Sequence, residues 1–314
     1  MCELSAASVD RFATAPSGTR ICFRDAGDKD DPAIMLIAGL GEDLTSWTES
    51  VVTALVEQGL RVISIDNRDV GQSTFATTPP PGVWRQLLAR SRSDGYTLAD
   101  MAQDAVGVLD HLGIERAHLV GRSMGGMIAQ TIAATLPDRV ESLTSIYSTT
   151  GAPRVGQPAR SSLRMLMGPD PRNRTDAVRA HLRLTRHIAG KDFPIDDAVE
   201  AAIAARIWDR AAGDLGAGGA RQIQAIQLSG DRTAQLRGIT APTLVINGDL
   251  DLLVAETGGA ATVRAIRGAR HIVIPGMGHH MPESLVETIT GYIGKHVDRV
   301  RQAVPSAHRK GTGQ

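Results

Sequence analysis

The sequence has few cysteines and no net charge, and both shortages exclude classes of protein. Its 314 residues include two cysteines, Cys2 and Cys22, which cannot form the disulfide framework of a small secreted domain. Lys plus Arg and Asp plus Glu number 34 each, so the balanced chain has no overall field that would attract nucleic acid. We therefore expect no nucleic-acid partner and favour a small-molecule partner.

Long apolar stretches and internal repeats are also missing. Residues 1–16 mix charged and small residues without the apolar centre of a signal peptide, and no later stretch reaches the roughly 18 apolar residues of a membrane span. We expect a cytoplasmic protein without a membrane span, and the sequence leaves the oligomeric state open.

Apolar, strand-like runs alternate with helix-like segments along much of the chain. Residues 33–38 form a continuous apolar run, which is typical of a strand buried on both faces in a parallel sheet between helices. Helix starts are predicted by Ser46 with Glu49 and by Thr97 with Asp100, because each pair has capping spacing. Further strand-like runs cover residues 20–24, 61–65, 117–120, 142–147, 242–247 and 271–275, with 20–24 expected at the edge of the sheet.

The alternation stops near residue 152 and resumes near residue 238. Apolar residues between these points have helical spacing, which predicts a helical cap over 152–237 inserted into a core of 18–151 and 238–300. We expect flexible termini at 1–17 and 301–314. Residues 74–95 are longer than a typical connection and form either a surface excursion or part of an entrance.

The segment from Val120 to Gly126 contains a Gly-x-Ser-x-Gly pattern between a strand-like and a helix-like run. This context predicts a nucleophile elbow, a sharp turn that projects the Ser123 hydroxyl from the sheet. Gly121 and Gly125 are expected where any β-carbon would collide with the neighbouring strand or helix.

A serine hydroxyl is a weak nucleophile unless a histidine removes its proton and an acid orients that histidine. Candidate acids Asp249 and Asp251 follow one later strand, and candidate bases His279 and His280 follow the next. The chain order of serine, acid and base matches this type of elbow. The same four residues could ligate a metal by type, but no further ligand or spacing supports that alternative, so we expect no metal.

These motifs resemble those of the α/β-hydrolase superfamily over about residues 18–152 and 238–295. Within it the chain most resembles the serine esterases grouped with aclacinomycin methylesterase, through residues 66–73, 121–125, 242–251 and 275–279. The resemblance implies an α/β-hydrolase fold with a mostly parallel central sheet flanked by helices. It also implies Ser123 as nucleophile, Asp251 as the acid and His279 as the base.

The resemblance also implies an oxyanion hole, formed by the backbone amides of Leu40 and Met124. The family commonly has His-Gly at the start of the loop that carries the first of these amides, whereas this chain has Ala38-Gly39 there. We expect the amides to be retained and a bracing side chain to be lost.

The predicted activity is hydrolysis of a carboxylic ester of a small, hydrophobic substrate through an acyl-enzyme, without a cofactor. The same triad serves lactonases, thioesterases, perhydrolases and carbon–carbon bond hydrolases, and a non-catalytic ligand-binding protein is the alternative from another class. We expect the sheet domain to hold the triad and the cap to form a wall of the acyl pocket.

The choice between the two adjacent histidines is testable. We expect His279→Ala to be inactive and His280→Ala to retain substantial activity on a simple activated ester, because only one histidine can face the serine. Equal losses in the two variants would contradict the assignment of the base.

Overall fold

The computed structural model describes residues 9–87 and 92–303, within which eight strands form one sheet. The strand order is β1-β2-β4-β3-β5-β6-β7-β8, with β1 and β2 antiparallel to their neighbours and β3 to β8 parallel. The strands are β1 Arg11–Thr14, β2 Arg20–Ala26, β3 Ala33–Ile37, β4 Arg61–Ile65, β5 Ala117–Arg122, β6 Val140–Ile146, β7 Thr243–Gly248 and β8 Arg270–Ile274. The predicted mostly parallel sheet is confirmed.

Helices follow most of the parallel strands, and a group of them separates β6 from β7. They are α1 Glu49–Val56, α2 Val83–Leu87, α3 Leu98–His111, α4 Met124–Thr135, α5 Arg160–Leu166, α6 Arg174–Ile188, α7 Asp197–Arg210, α8 Leu215–Ser229, α9 Thr233–Leu236, α10 Thr257–Ala265 and α11 Glu283–Ala303. No helix in the described ranges is long and apolar enough to cross a membrane.

Both faces of the sheet are covered by apolar helix surface. Successive residues of β3 point in opposite directions, so Met35 and Ile37 pack with α3 and α4 while Ile34 and Leu36 pack with α1 and α11. This double burial explains the continuous apolar run at residues 33–38.

Three predictions about the N-terminal half are wrong. Residues 11–14 are not flexible: they form the edge strand β1, which pairs with β2 and buries Ala13, so β2 is not the edge. The predicted capping box at Ser46 and Glu49 does not form, because the Ser46 hydroxyl donates to the Asp43 carbonyl in a 3₁₀ turn and Thr48 precedes α1. Residues 301–303, which were predicted to belong to a flexible terminus, form the end of α11, and residues 1–8 and 304–314 lie outside the described residues.

The capping box at Thr97 and Asp100 is confirmed at the start of α3. The Thr97 hydroxyl accepts from the Asp100 amide, and the Asp100 carboxylate accepts from the Thr97 amide. Two of the otherwise unpaired amides at this helix end are thereby satisfied.

Five helices, α5 to α9, lie between β6 and β7 where the sequence predicts a cap; we call them the inserted helices. The exact boundaries of a separate cap, 152 and 237, stay a prediction.

Buried charges join the inserted helices to the loops of the sheet. Arg210 at the end of α7 pairs with Asp10, Asp43 and Asp66, and Arg221 of α8 forms a bidentate pair with Asp69.

The pairs of Arg210 should contribute strongly to stability. Burial raises the pKa of Asp66 and the Arg210 guanidinium opposes that rise, so removing the cation leaves Asp66 and Asp43 buried without a partner. We expect Arg210→Ala to lower the free energy of unfolding by about 3–5 kcal/mol, measured by urea denaturation.

The matched control is Arg174→Ala, whose partner Asp209 is exposed and whose loss should cost under about 0.5 kcal/mol. The Arg210→Ala loss should also be smaller at about pH 4 than at about pH 7. A buried carboxylate with a raised pKa binds its proton more readily in the folded state, so its contribution to stability falls as the pH rises. Equal, small losses in both variants would show that the buried pairs are not stabilising.

Candidate active site

Ser123 lies on a tight turn between β5 and α4, with φ 53° and ψ −122°. A β-carbon on Gly121 would overlap the Gly125 carbonyl, and one on Gly125 would overlap the carbonyl oxygens of Ile37 and Ala38. The steric reason predicted for both glycines is therefore present. The turn holds the Ser123 side chain at the carboxyl edge of the sheet, where β3 and β5 both end.

His279 and Asp251 complete a chain of hydrogen bonds from Ser123. The Ser123 Oγ lies 3.0 Å from His279 Nε2, and His279 Nδ1 lies 2.7 Å from Asp251 Oδ2. The other Asp251 oxygen accepts from the amides of Leu253 and Val254, each at 2.7 Å, which fixes the carboxylate in a buried loop after β7. In this geometry the imidazole can remove the serine proton while the carboxylate orients the ring.

The neighbouring candidates face elsewhere. Asp249 Oδ1 accepts from the Gly276 amide at 2.6 Å and thus braces the loop after β8. His280 Nε2 lies 3.0 Å from Oε1 of Glu200, a residue of α7. Within residues 9–87 and 92–303, no three His, Cys, Asp or Glu side chains are grouped as metal ligands, so the alternative of a four-residue metal site has no geometric support.

The two residues whose amides are predicted as oxyanion donors belong to the same part of the structure as Ser123. Met124 is the first residue of α4, and Leu40 lines the same cavity as Ser123 and His279. The amides on either side of Leu40 are already used, since Gly39 donates to Glu42 Oε2 at 2.7 Å and Gly41 donates to Gln222 Oε1 at 2.9 Å. The amides of Leu40 and Met124 have no acceptor among the described residues and so are available to a bound group.

An ion pair braces the loop after β3, residues 38–42, which carries Leu40. Glu42 Oε2 accepts from the Gly39 amide and from Arg122 Nε at 2.9 Å, and the Arg122 guanidinium stacks 4.7 Å from the centre of the Trp47 ring. The Asn67 side chain also donates to the Ala38 carbonyl at 3.0 Å. The loop is thus held by other side chains despite having Ala38 where the family commonly has histidine.

The inserted helices contact the loop that carries His279, residues 276–280, which we call the His279 loop. At the end of α6 the carbonyls of Ile188 and Ala189 accept from the amides of His279 at 2.6 Å and Gly278 at 3.0 Å. Glu200 of α7 contacts His280 in the same loop. The three residues of the expected triad follow strands of the sheet, and the inserted helices add contacts to the loop that carries His279.

A cavity of about 780 Å³ opens onto Ser123 and His279, and most of its walls come from the inserted helices. This volume lies within the range of sites that bind small organic molecules. Residues of the 74–95 segment in the described ranges are not among its lining residues. The apolar part of the wall includes Met165, Leu184, Ile188, Ile203, Ile207 and Trp208.

The fold, the elbow and the chain of hydrogen bonds together define an α/β hydrolase. The sequence matches the alpha/beta hydrolase fold family over residues 32–284, and the chain belongs to that family.

Among curated relatives, it is 28% identical to rhodomycin D methylesterase DnrP of Streptomyces peucetius over 295 residues, covering 86% of this chain and 92% of that protein. The predicted resemblance to methylesterases is thereby confirmed. The 2-hydroxy-6-oxononadienedioate/2-hydroxy-6-oxononatrienedioate hydrolase of Burkholderia vietnamiensis is 36% identical over 136 residues, which are 43% of this chain and 42% of that protein. The matches to this relative and to several proteins named as putative carbamate hydrolases span only about two fifths of the length of those proteins.

A solved structure with the same fold is the enol-lactonase from Burkholderia xenovorans LB400. It superposes with a TM-score of 0.70 at 26% identity, over 92% of this chain and all of that one.

The residues that sequence reasoning missed are Glu42, Arg122, His181 and Glu200, all of which line the cavity. Glu42 and Arg122 are 80 positions apart in the sequence, and Glu200 is equally far from His280. No short spacing joins them. Only the fold brings their charges together.

The contact between the inserted helices and the His279 loop yields a prediction. A β-carbon on Gly278 would overlap the Ile188 carbonyl oxygen, so Gly278→Ala should displace the His279 loop and slow the reaction of Ser123 with a fluorophosphonate probe by at least about tenfold. In the control Gly291→Ala, the new β-carbon meets nothing within 4 Å on a helix, and labelling should be unchanged. Equal labelling of both variants would show that this contact does not position His279.

Proposed function

We propose that this protein is a serine hydrolase that cleaves a carboxylic ester through an acyl-enzyme on Ser123. The observation that carries the proposal is the continuous chain of hydrogen bonds from Ser123 through His279 to Asp251 at the mouth of the cavity. The relatives named as a methylesterase and an enol-lactonase support the same bond type, because a lactone is a cyclic ester.

In the first half of the proposed reaction, the Ser123 oxygen attacks the ester carbonyl as His279 Nε2 takes its proton. The negative charge moves to the former carbonyl oxygen, which the amides of Leu40 and Met124 would bind. The intermediate then collapses, the bond to the alcohol oxygen breaks, and the alcohol leaves with the proton that His279 held.

In the second half, His279 takes a proton from water as that water attacks the acyl-enzyme. The second tetrahedral intermediate breaks its bond to Ser123 Oγ, which recovers a proton from His279, and the carboxylic acid is released. Asp251 orients His279 and stabilises the imidazolium in both halves. Every step uses groups of this chain, water and the ester.

The size and composition of the cavity favour an ester with a large apolar portion. About 780 Å³ exceeds what a short acyl chain fills, and the lining of α6 and α7 is largely aliphatic. Linear esters are the first candidates, and lactones are the second because of the full-length likeness to an enol-lactonase. A panel of chromogenic esters, thioesters and lactones of graded chain length would order these classes.

The covalent mechanism makes a direct prediction. Ser123→Ala should lower turnover of an activated ester by about four to six orders of magnitude, because serine, base and acid act as a unit. The variant should stay folded, as checked by circular dichroism and thermal unfolding. Residual turnover above about a tenth of the parent rate would contradict the acyl-enzyme.

The same experiment separates the enzyme from a ligand-binding protein on this fold. Only an activated serine reacts quickly with a fluorophosphonate, so the parent should be labelled at Ser123 and the alanine variant should not. A folded parent that resists the probe and all esters would favour the binding protein.

A further inference from the structure

Several carboxylates line the cavity without a role in the proposed reaction, and one of them, Glu200, contacts the His279 loop. Glu200 belongs to the face of α7 that lines the cavity, together with Ile203, Ala204, Ile207 and Trp208. These positions have the three- and four-residue spacing of a single helix face, and Glu200 is the ionisable member of that face. At 1.5 Å per residue, the face extends about 12 Å from Glu200 to Trp208.

Glu200 is held between two histidines. Its Oε2 lies 2.8 Å from Nε2 of His181 on α6, and its Oε1 lies 3.0 Å from Nε2 of His280, next to the proposed base. The Glu200 side chain is 6% exposed. The charged end of the α7 face is therefore the end next to His279, and the apolar part of the face leads away from it.

The contact between Glu200 and His280 is close but poorly aligned. The two atoms are within ion-pair distance, yet His280 Nε2 is buried without a hydrogen-bond partner of acceptable geometry among the described residues. Glu200 Oε1 consequently has capacity for a better-placed donor, since a carboxylate offers about four acceptor sites.

The protonation state of Glu200 also indicates that this carboxylate can accept a hydrogen bond from a further donor. Burial alone would raise its pKa, but the hydrogen bond from His181 and the proximity of His280 outweigh this and lower the pKa to about 2. Glu200 is thus an acceptor-only, negatively charged group at neutral pH. Burying such a charge is costly, and an apolar residue would continue the face of α7 at lower cost.

Attachment of the inserted helices does not require Glu200. Arg210 and Arg221 already join α7 and α8 to four buried or half-buried carboxylates of the sheet loops. The backbone bonds from Ile188 and Ala189 hold the His279 loop independently of any side chain. Because other groups provide these attachments, we assign Glu200 a function in the cavity.

We propose that Glu200, between His181 and His280, binds a hydroxyl or protonated amino group of the ester substrate, close to the scissile bond. The proposal rests on the ester hydrolase function proposed above and specifies its substrate class. The preferred ester has a hydrogen-bond donor near the reacting carbonyl and an apolar body along α7. An ester with a second, ionised carboxylate at that position would be rejected by like charge.

The test compares pairs of esters in which a hydrogen-bond donor is exchanged for an apolar group of similar shape. On the acyl side, p-nitrophenyl β-hydroxybutyrate is paired with p-nitrophenyl isovalerate. On the alcohol side, ethylene glycol monobutyrate is paired with propyl butyrate, and dimethylaminoethyl butyrate with isoamyl butyrate. Each ratio of kcat/KM is divided by the ratio of alkaline hydrolysis rates, which removes intrinsic reactivity.

We expect the parent to prefer the donor-bearing ester by about tenfold or more in the acyl or the alcohol arm, as a hydrogen bond to a charged group implies. The side that shows the preference identifies where the donor lies. In Glu200→Gln the preference should fall to within about twofold, because the loss of kcat/KM is larger for the donor-bearing member than for the apolar member. The control Asp197→Asn removes an exposed carboxylate from the same helix and should keep the parent's preference.

Two results would overturn the proposal. One is a parent without preference in any pair, a result that needs no variant and so does not depend on the folding of Glu200→Gln. The other is an equal loss of kcat on both members of each pair in Glu200→Gln, which would assign the carboxylate to positioning of the His279 loop.

Measurements of binding without turnover distinguish a failure of the proposed ester hydrolysis from a failure of the Glu200 subsite. In Ser123→Ala, the Kd values of each alcohol-side pair are compared by calorimetry. A donor preference in binding would uphold the subsite even if the parent hydrolysed none of the esters. Hydrolysis of the apolar esters without any donor preference, in rate or in binding, would overturn the subsite alone.

Discussion

The site depends on how closely α4 approaches the sheet at Ser123. The positive φ of this serine turns the chain sharply from β5 into α4, and the helix backbone then lies against the carbonyls of Ile37 and Ala38 at the end of β3. Any side chain at Gly125 would separate the two, so the turn exists only with glycine there. Because β3, β5, β7 and β8 run parallel, their carboxyl ends meet at one edge, and the loops that carry Leu40, Asp251 and His279 start from it.

Features fixed by neighbours in sequence could be predicted, and features fixed by distant partners could not. The glycines around Ser123, the capping box at Thr97 and the buried run of β3 each follow from a few adjacent residues. Strand β1 was missed because its four residues alternate weakly and acquire burial only by pairing with β2. Ser46 had the spacing of a cap, but Asp43 offered a nearer carbonyl and the 3₁₀ turn formed instead. Tertiary context overrode a local signal there.

Charged residues show most clearly that features fixed by distant partners cannot be predicted from neighbours in sequence. The sequence has an even balance of charges and gives no indication that Arg210 reaches Asp10, Asp43 and Asp66, which lie 144 to 200 positions away. Such pairs arise because α7 ends directly above the loops after β3 and β4. Once buried, they hold the inserted helices on the sheet, since separating them would leave carboxylates in a nonpolar environment without a cation. The same attachment lets α6 and α7 act as fixed walls of the cavity.

The inserted helices therefore have two kinds of position with different tolerance to change. Ile188 and Ala189 contact the His279 loop through backbone carbonyls, and the β-carbon that Gly190 lacks would collide with that loop, so the path of the chain there is constrained whatever the substrate. Ile203, Ile207 and Trp208 face the cavity through side chains alone, so replacing them alters the shape of the pocket without moving His279. Glu200 belongs to both groups, because one carboxylate lines the cavity and contacts the His279 loop. A change at Glu200 can alter substrate choice and base position together, which is why only matched pairs of esters separate the two effects.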